Sequence, residues 1–245
     1  MKTKKRKIIE INLGVLIIVI AITVIAITML KYYVEGEKDM PYMVTKMVTI
    51  STANGKNNQT EEYKWNIDVY QNTDIYFDIT RNSEYKTNEN IKNVKIEDIQ
   101  INPKGKLTPN AYAPAKNDTN EIFTYTDENI INSEISYIVD KTKDVQNRKI
   151  TSEGGVIALS FCIPNIGTYQ GNDDKITYDG TLLNKLGITI EDISYEVKFN
   201  LIIQTESDKR YKAEITLQLP QEDIVQKGIV KTEDTELKNI VFKRI

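Results

Sequence analysis

Between Ser194 and Pro220 the chain alternates apolar and polar residues along two consecutive runs. In SYEVKFNLIIQT, Tyr195, Val197, Phe199, Leu201 and Ile203 fall on one face, with Glu196, Lys198, Asn200 and Gln204 on the other. In YKAEITLQLP, Tyr211, Ala213, Ile215, Leu217 and Leu219 oppose Lys212, Glu214, Thr216 and Gln218. Side chains alternate faces along a strand, whereas a helix would scatter these apolar residues around its axis. The pattern specifies a β-hairpin with one buried and one wet face, turned at the polar ESDKR. Pro220 ends it, because proline has no N–H to give to a ladder.

The same habit recurs upstream. In EEYKWNIDVYQ, Tyr63, Trp65, Ile67 and Val69 share a face, and in TDIYFDIT so do Ile75, Phe77 and Ile79. Asn72-Thr73-Asp74 between them consists of turn formers, so two strands joined by a turn are expected. VTKMVTISTANGKN reads as a strand ending in an Asn54-Gly55 turn. NVKIEDIQINP alternates on Val94 and Ile96, then changes phase to Ile99 and Ile101, which calls for a bulge near Glu97-Asp98. GGVIALSFCIPN is apolar on both faces and is expected to be a central strand covered on both sides. LKNIVFKRI reads as a last strand.

Helical signals are few. YDGTLLNKLGITIEDI has Asp179 or Thr181 as a cap, Leu182, Leu183 and Leu186 on one side, and Gly187 as a stop. PQEDIVQKG is a second short turn. Many short strands with almost no helix give an all-β antiparallel β-sandwich of immunoglobulin-like or jelly-roll type. NPKGKLTPNAYAPAKNDTNE and DKTKDVQNRKITSEGG break the rhythm. The first leaves open a division into two sub-domains near residues 103–120.

The N-terminus obeys different rules. Lys2, Lys4, Lys5, Arg6 and Lys7 precede a run from Leu13 to Leu30 that holds no charge and no proline. A soluble helix would show a polar face, and this run has none. It is long enough to cross a bilayer, is longer than the core of a cleaved signal peptide, and has no small-x-small site after it. Residues 1–12 are thus a basic cytoplasmic leader and 13–30 an uncleaved transmembrane signal anchor. Residues 31–245 form an extracytoplasmic domain of the cell membrane, by the positive-inside rule. A pilus-like subunit is a competing reading, but Gly14 has only apolar residues after it and Glu10 lies on its wrong side.

Composition narrows the chemistry. The net charge is −3, and residues 1–31 contribute +5, which leaves −8 for the rest. An acidic exterior excludes nucleic acid, which demands a basic patch. The single cysteine, Cys162, allows no internal disulfide and is expected to be buried and inert. An exported domain without disulfides fits a bacterial envelope. There is no histidine, so Ser-His-Asp and Cys-His mechanisms and imidazole metal sites are impossible.

The candidate sites are weak. TYQGNDDKITYDG gathers Asn172, Asp173, Asp174 and Asp179, oxygen donors of the kind Ca²⁺ takes. The spacing of an EF-hand loop is absent, and a solvated turn accounts for the same residues. Tyr112, Tyr169 and Tyr178 lie in or beside loops, where exposed rings would stack on a glycan, although packing at strand edges explains them too. The acid pairs Glu61-Glu62, Glu97-Asp98, Asp127-Glu128, Glu191-Asp192 and Glu222-Asp223 offer carboxylates without the cleft a glycosidase needs. The sequence therefore predicts no catalytic residue and no cofactor. It predicts a non-catalytic binding or assembly module, held to the membrane by its N-terminal helix and contacting another envelope protein. The alternative is a wall-glycan-binding or glycan-active envelope protein.

Overall fold

The computed structural model describes residues 2–245 except 59, 86–87, 117–120, 140–145, 178–179 and 238–239, with side chains from Gly14 onward apart from Gln146. Helix α1 (Lys2–Glu35) leads into strands β1 (Tyr42–Asn57), β2 (Trp65–Arg81), β3 (Ile91–Pro103), β4 (Asn110–Tyr112), β5 (Glu134–Ile138) and β6 (Gly154–Gly171). Then follow α2 (Gly180–Lys185), β7 (Tyr195–Thr205), β8 (Arg210–Leu219), α3 (Ile224–Lys227), β9 (Ile229–Asp234) and β10 (Lys243–Arg244). The strands form two five-stranded antiparallel sheets, ordered β4-β6-β2-β1-β9 and β10-β8-β7-β3-β5.

The sheets pack face to face as a sandwich. Phe77 of β2 meets Phe199 of β7 edge-on, with ring centres 6.0 Å apart, and Phe161 of β6 lies 6.1 Å from Tyr195. Apolar residues of both sheets form one buried cluster, to which the short α2 and α3 add Leu182, Leu183, Ile224 and Val225. Tyr137 of β5 reaches across to donate to the Ala158 carbonyl and closes one side.

The β7–β8 hairpin follows its alternation residue for residue, pairing Tyr195 with Leu219 through to Gln204 with Arg210. Asp208 in its turn takes φ 60°, a left-handed conformation that Asp tolerates. The phase change in β3 is a bulge: pairing skips between Glu97 and Gln100, and Asp98 has φ 57°. β6 lies between β4 and β2, with residues 157–163 buried on both faces. Its ladder with β2 is interrupted between Ile163 and Gly167, where Pro164 stands.

Two expected turns are absent. Asn72-Thr73-Asp74 lies within the continuous β2, and Asn54-Gly55 pairs with Tyr70 and Val69 inside the β1–β2 ladder. The reason is that their side chains bond across strands instead of back to their own backbone. Thr52 Oγ1 and Asn54 Nδ2 both donate to Asn72 Oδ1 at 2.7 Å, and the hydroxyls of Ser51 and Thr73 meet at 2.7 Å. The odd positions of β2, from Ile67 through Gln71 and Thr73 to Ile79, keep one buried face throughout. Trp65 and Tyr63, at the mouth of the hairpin, are only half-buried.

The helix carries a 22-residue segment, Gly14–Glu35, long and apolar enough to cross a membrane. It extends past Leu30 because Tyr32, Tyr33 and Val34 continue the helix through Lys31. Thr23 and Thr28 return their hydroxyls to the carbonyls of Val19 and Val24 at 2.8 Å, so neither side chain asks for water. Gly36, at φ +73°, ends the helix with its N–H on the Tyr32 carbonyl.

Candidate functional site

The acidic loop after β6 is neutralised from within. Asp173 receives the Tyr169 hydroxyl at 2.8 Å and the Lys185 ammonium, which hold its carboxyl below the usual carboxylate range. Its carbonyl accepts Trp65 Nε1 at 2.7 Å, and Asn172 Oδ1 accepts the Lys64 N–H at 2.8 Å. Asp174 faces Lys64 at 3.7 Å. Asp179 and Tyr178 lie outside the described residues, and among the described residues no three acidic or sulfur ligands are placed to hold a metal ion. Tyr169 stacks under Lys185, and Tyr112 is buried against Tyr125, so neither ring forms an open platform.

Three of the acid pairs serve local structure. Asp223 caps α3, accepting from Val225 N and Gln226 N, and Glu222 pairs with Lys227. Asp192 accepts Thr189 N–H at 3.0 Å and pairs with Lys106. Glu97-Asp98 is the bulge, where Asp98 accepts from Asn200 at 2.7 Å.

Residues 121–131, with 113–116 hydrogen-bonded beside them, lie over the outer face of β6 and β2 and bury Ala113, Ala115 and Phe123, while Tyr112 at the end of β4 packs against Tyr125. Beneath them Asp74 Oδ1 accepts Ser160 Oγ at 2.6 Å, Tyr125 OH at 3.2 Å and Asn72 Nδ2 at 3.2 Å. Burial raises the Asp74 pKa, opposed by these hydrogen bonds. Burial also pushes the Cys162 thiol up, with the Asp74 charge adding to it, so the thiolate is suppressed. Through Tyr125, bonded to Asp74 of β2 and Ser160 of β6, the cluster acts as a latch for the covering residues.

A further open groove lies where the helix meets the sandwich. Residues 240–245 run beside β8 and grip the helix end. Phe242 O accepts Glu37 N–H at 2.8 Å, the Arg244 N–H donates to Tyr32 OH at 2.8 Å, and Lys243 Nζ sits 3.8 Å from the centre of the Tyr33 ring. A Cβ on Gly36 would come within 2.5 Å of the Phe242 carbonyl, so only glycine fits the grip. Between this junction and the start of β1 opens a groove of about 900 Å³, walled by Val34, Met40, Met43, Leu237 and Phe242, with Glu37 on its lining. No spacing in the sequence signals this groove, because its walls come from residues near 34–45 and 235–242, far apart along the chain.

β9 leads into this groove. It pairs with β1 along one side, from Met47–Asp234 to Thr52–Ile229. Among the described residues no backbone hydrogen bond reaches its other side. Ile229 is 61% exposed, and Lys231 and Glu233 also point to solvent. An unpaired strand edge is a template for another strand, which such charges restrain from indiscriminate pairing. Compared with models of protein families, curated proteins and solved structures, the chain matches none.

Proposed function

We propose that this chain is a membrane-anchored, non-catalytic binding or assembly module of a bacterial cell envelope. Its helix crosses the membrane with the basic leader in the cytoplasm, and its sandwich lies outside. The observation that carries the reading is the unpaired edge of β9, held beside the end of the helix. An extended segment of a neighbouring envelope protein adds there as a strand, with main-chain hydrogen bonds giving affinity and alternate side chains giving specificity. The suppressed Cys162, the internally neutralised acidic loop and the absence of histidine fit binding better than catalysis.

Cysteine scanning tests this directly, because the native thiol is buried. Single cysteines replace Ile229, Lys231, Glu233 and, as a control on the outer face of the second sheet, Lys198. Each variant is treated in native membranes with a short thiol-to-amine crosslinker. The reading expects one discrete protein adduct from the β9 positions and none from position 198. Equal adducts at all positions, or none at β9, would remove the edge as the contact surface. A membrane-impermeant thiol reagent applied to intact cells checks orientation, and protection of position 229 until lysis would invert the topology.

A further inference from the structure

We propose that the groove at the helix–sandwich junction binds the headgroup and upper chain of an amine-bearing phospholipid. This inference rests on the reading that α1 crosses a membrane. The apolar segment Gly14–Glu35 is 22 residues long. At ~1.5 Å per residue it spans roughly 33 Å, against about 30 Å of hydrocarbon. Its far end therefore emerges at the headgroup layer, where Tyr32 and Tyr33 take the place usual for interfacial aromatics. Val34 and Glu35, the next residues of the same helix, line the groove. The groove is thus set at headgroup depth by the helix that forms its wall, and lipid is the molecule present there in excess.

The lining suits one kind of lipid. Met40, Met43, Leu237 and Phe242 supply an apolar wall, of which Met43 is 42% exposed. Glu35 already has a partner in Lys38, at 2.8 Å. Glu37 is half-buried, and among the described residues its carboxylate meets no cation or hydrogen-bond donor. A carboxylate in that position favours an ammonium and repels a headgroup of net negative charge. At about 900 Å³ the groove has room for a phosphoethanolamine headgroup, its glycerol and the first part of a chain.

The test uses the full-length chain reconstituted in phosphatidylcholine vesicles. These carry a photoactivatable phosphatidylethanolamine or a phosphatidylglycerol bearing the same reactive group. Flotation is measured first. Protein that fails to float with vesicles overturns the membrane reading, and this inference with it. For inserted protein, the ethanolamine probe is expected to label peptides within 37–45 and 235–242. Glu37→Gln should reduce that labelling about three- to fivefold, the scale of one partly exposed ion pair, and Glu37→Asp should restore part of it. Equal labelling by the glycerol probe, labelling confined to residues 14–33, indifference to Glu37→Gln, or capture of a second copy of the chain at the groove would each refute the proposal.

Discussion

The two sheets use different rules. The second, β10-β8-β7-β3-β5, keeps one face in the core and presents Glu196, Lys198, Gln204, Lys212 and Glu214 on the other. The first, β4-β6-β2-β1-β9, is covered on both sides along β6, because residues 121–131, with 113–116 beside them, lie over its outer face. Polar residues there must find partners inside the protein, since water cannot serve them. Asp74, Ser160, Asn72 and Tyr125 do so with one another, and Thr49, Ser51, Gln71 and Thr73 are buried on the core side. A half-wet sheet gets its register from hydrophobic alternation, whereas a doubly covered one needs a hydrogen-bond network as well.

The sharpest way to break this contrast is at Phe161, which faces the core from the doubly covered β6. Phe161→Ala should lower unfolding free energy by about 3–5 kcal/mol in denaturant titrations of the whole chain in detergent. Removing the latch should come next. Tyr125→Ala is expected to loosen residues 121–131 and expose Cys162, so that a thiol buried in the native protein is alkylated by maleimide without denaturant. If Cys162 stays protected, the cover is held by other contacts and the latch is incidental.

Asp74 gives a pH test of the same network. Burial raises its folded pKa above the unfolded value. The native state therefore holds the proton more tightly, and the resulting stability is complete below the unfolded pKa of about 4 and is lost as pH rises through the folded value. Asp74→Asn keeps an acceptor at the oxygen that all three donors meet, and removes the buried charge. It should melt higher than the parent at neutral pH and lose that advantage on acidification. A constant difference across the range would show that Asp74 does not titrate in the native network. The smallest effect belongs to the wet sheet. Lys198 and Glu214 pair at 3.1 Å with side chains 40% and 58% exposed, so Lys198→Ala should change stability by less than about 0.5 kcal/mol.

The same contrast explains what could be read in advance. The β7–β8 hairpin was legible because its alternate polar residues, Glu196 to Gln204 and Arg210 to Gln218, point to water. The bulge at Glu97-Asp98 was legible as a change of phase. In β2 the alternation of Ile67, Val69, Ile75, Phe77 and Ile79 never loses step, yet Asn72-Thr73-Asp74 carries the composition of a turn. Composition misled there because the partners of these residues lie on β1 and β6, far away in sequence. The acidic loop was legible as a polar connection, but not its neutralisation by Lys185 and Tyr169, which needs the fold to bring α2 against β6. The groove and the β9 edge were hidden for a similar reason. Neither has a motif: the groove needs residues 34–45 beside 235–237 and 240–242, and the β9 edge needs 229–234 paired with 47–52.

Gly36 has a consequence for how such a molecule searches its surroundings. With Phe242 gripping the backbone just past this glycine, the sandwich has no leash. A domain on a flexible tether sweeps a volume set by tether length, and its local concentration of partner falls as that volume grows. In the membrane arrangement proposed above, the β9 edge would sweep only a ring, at one altitude, as the helix spins and drifts in the bilayer plane. Encounter would then be a problem in two dimensions, and the proposed mate would have to present its strand at that same altitude. Replacing Gly36 by a larger residue would give the domain slack, and with it a wider and less discriminating reach.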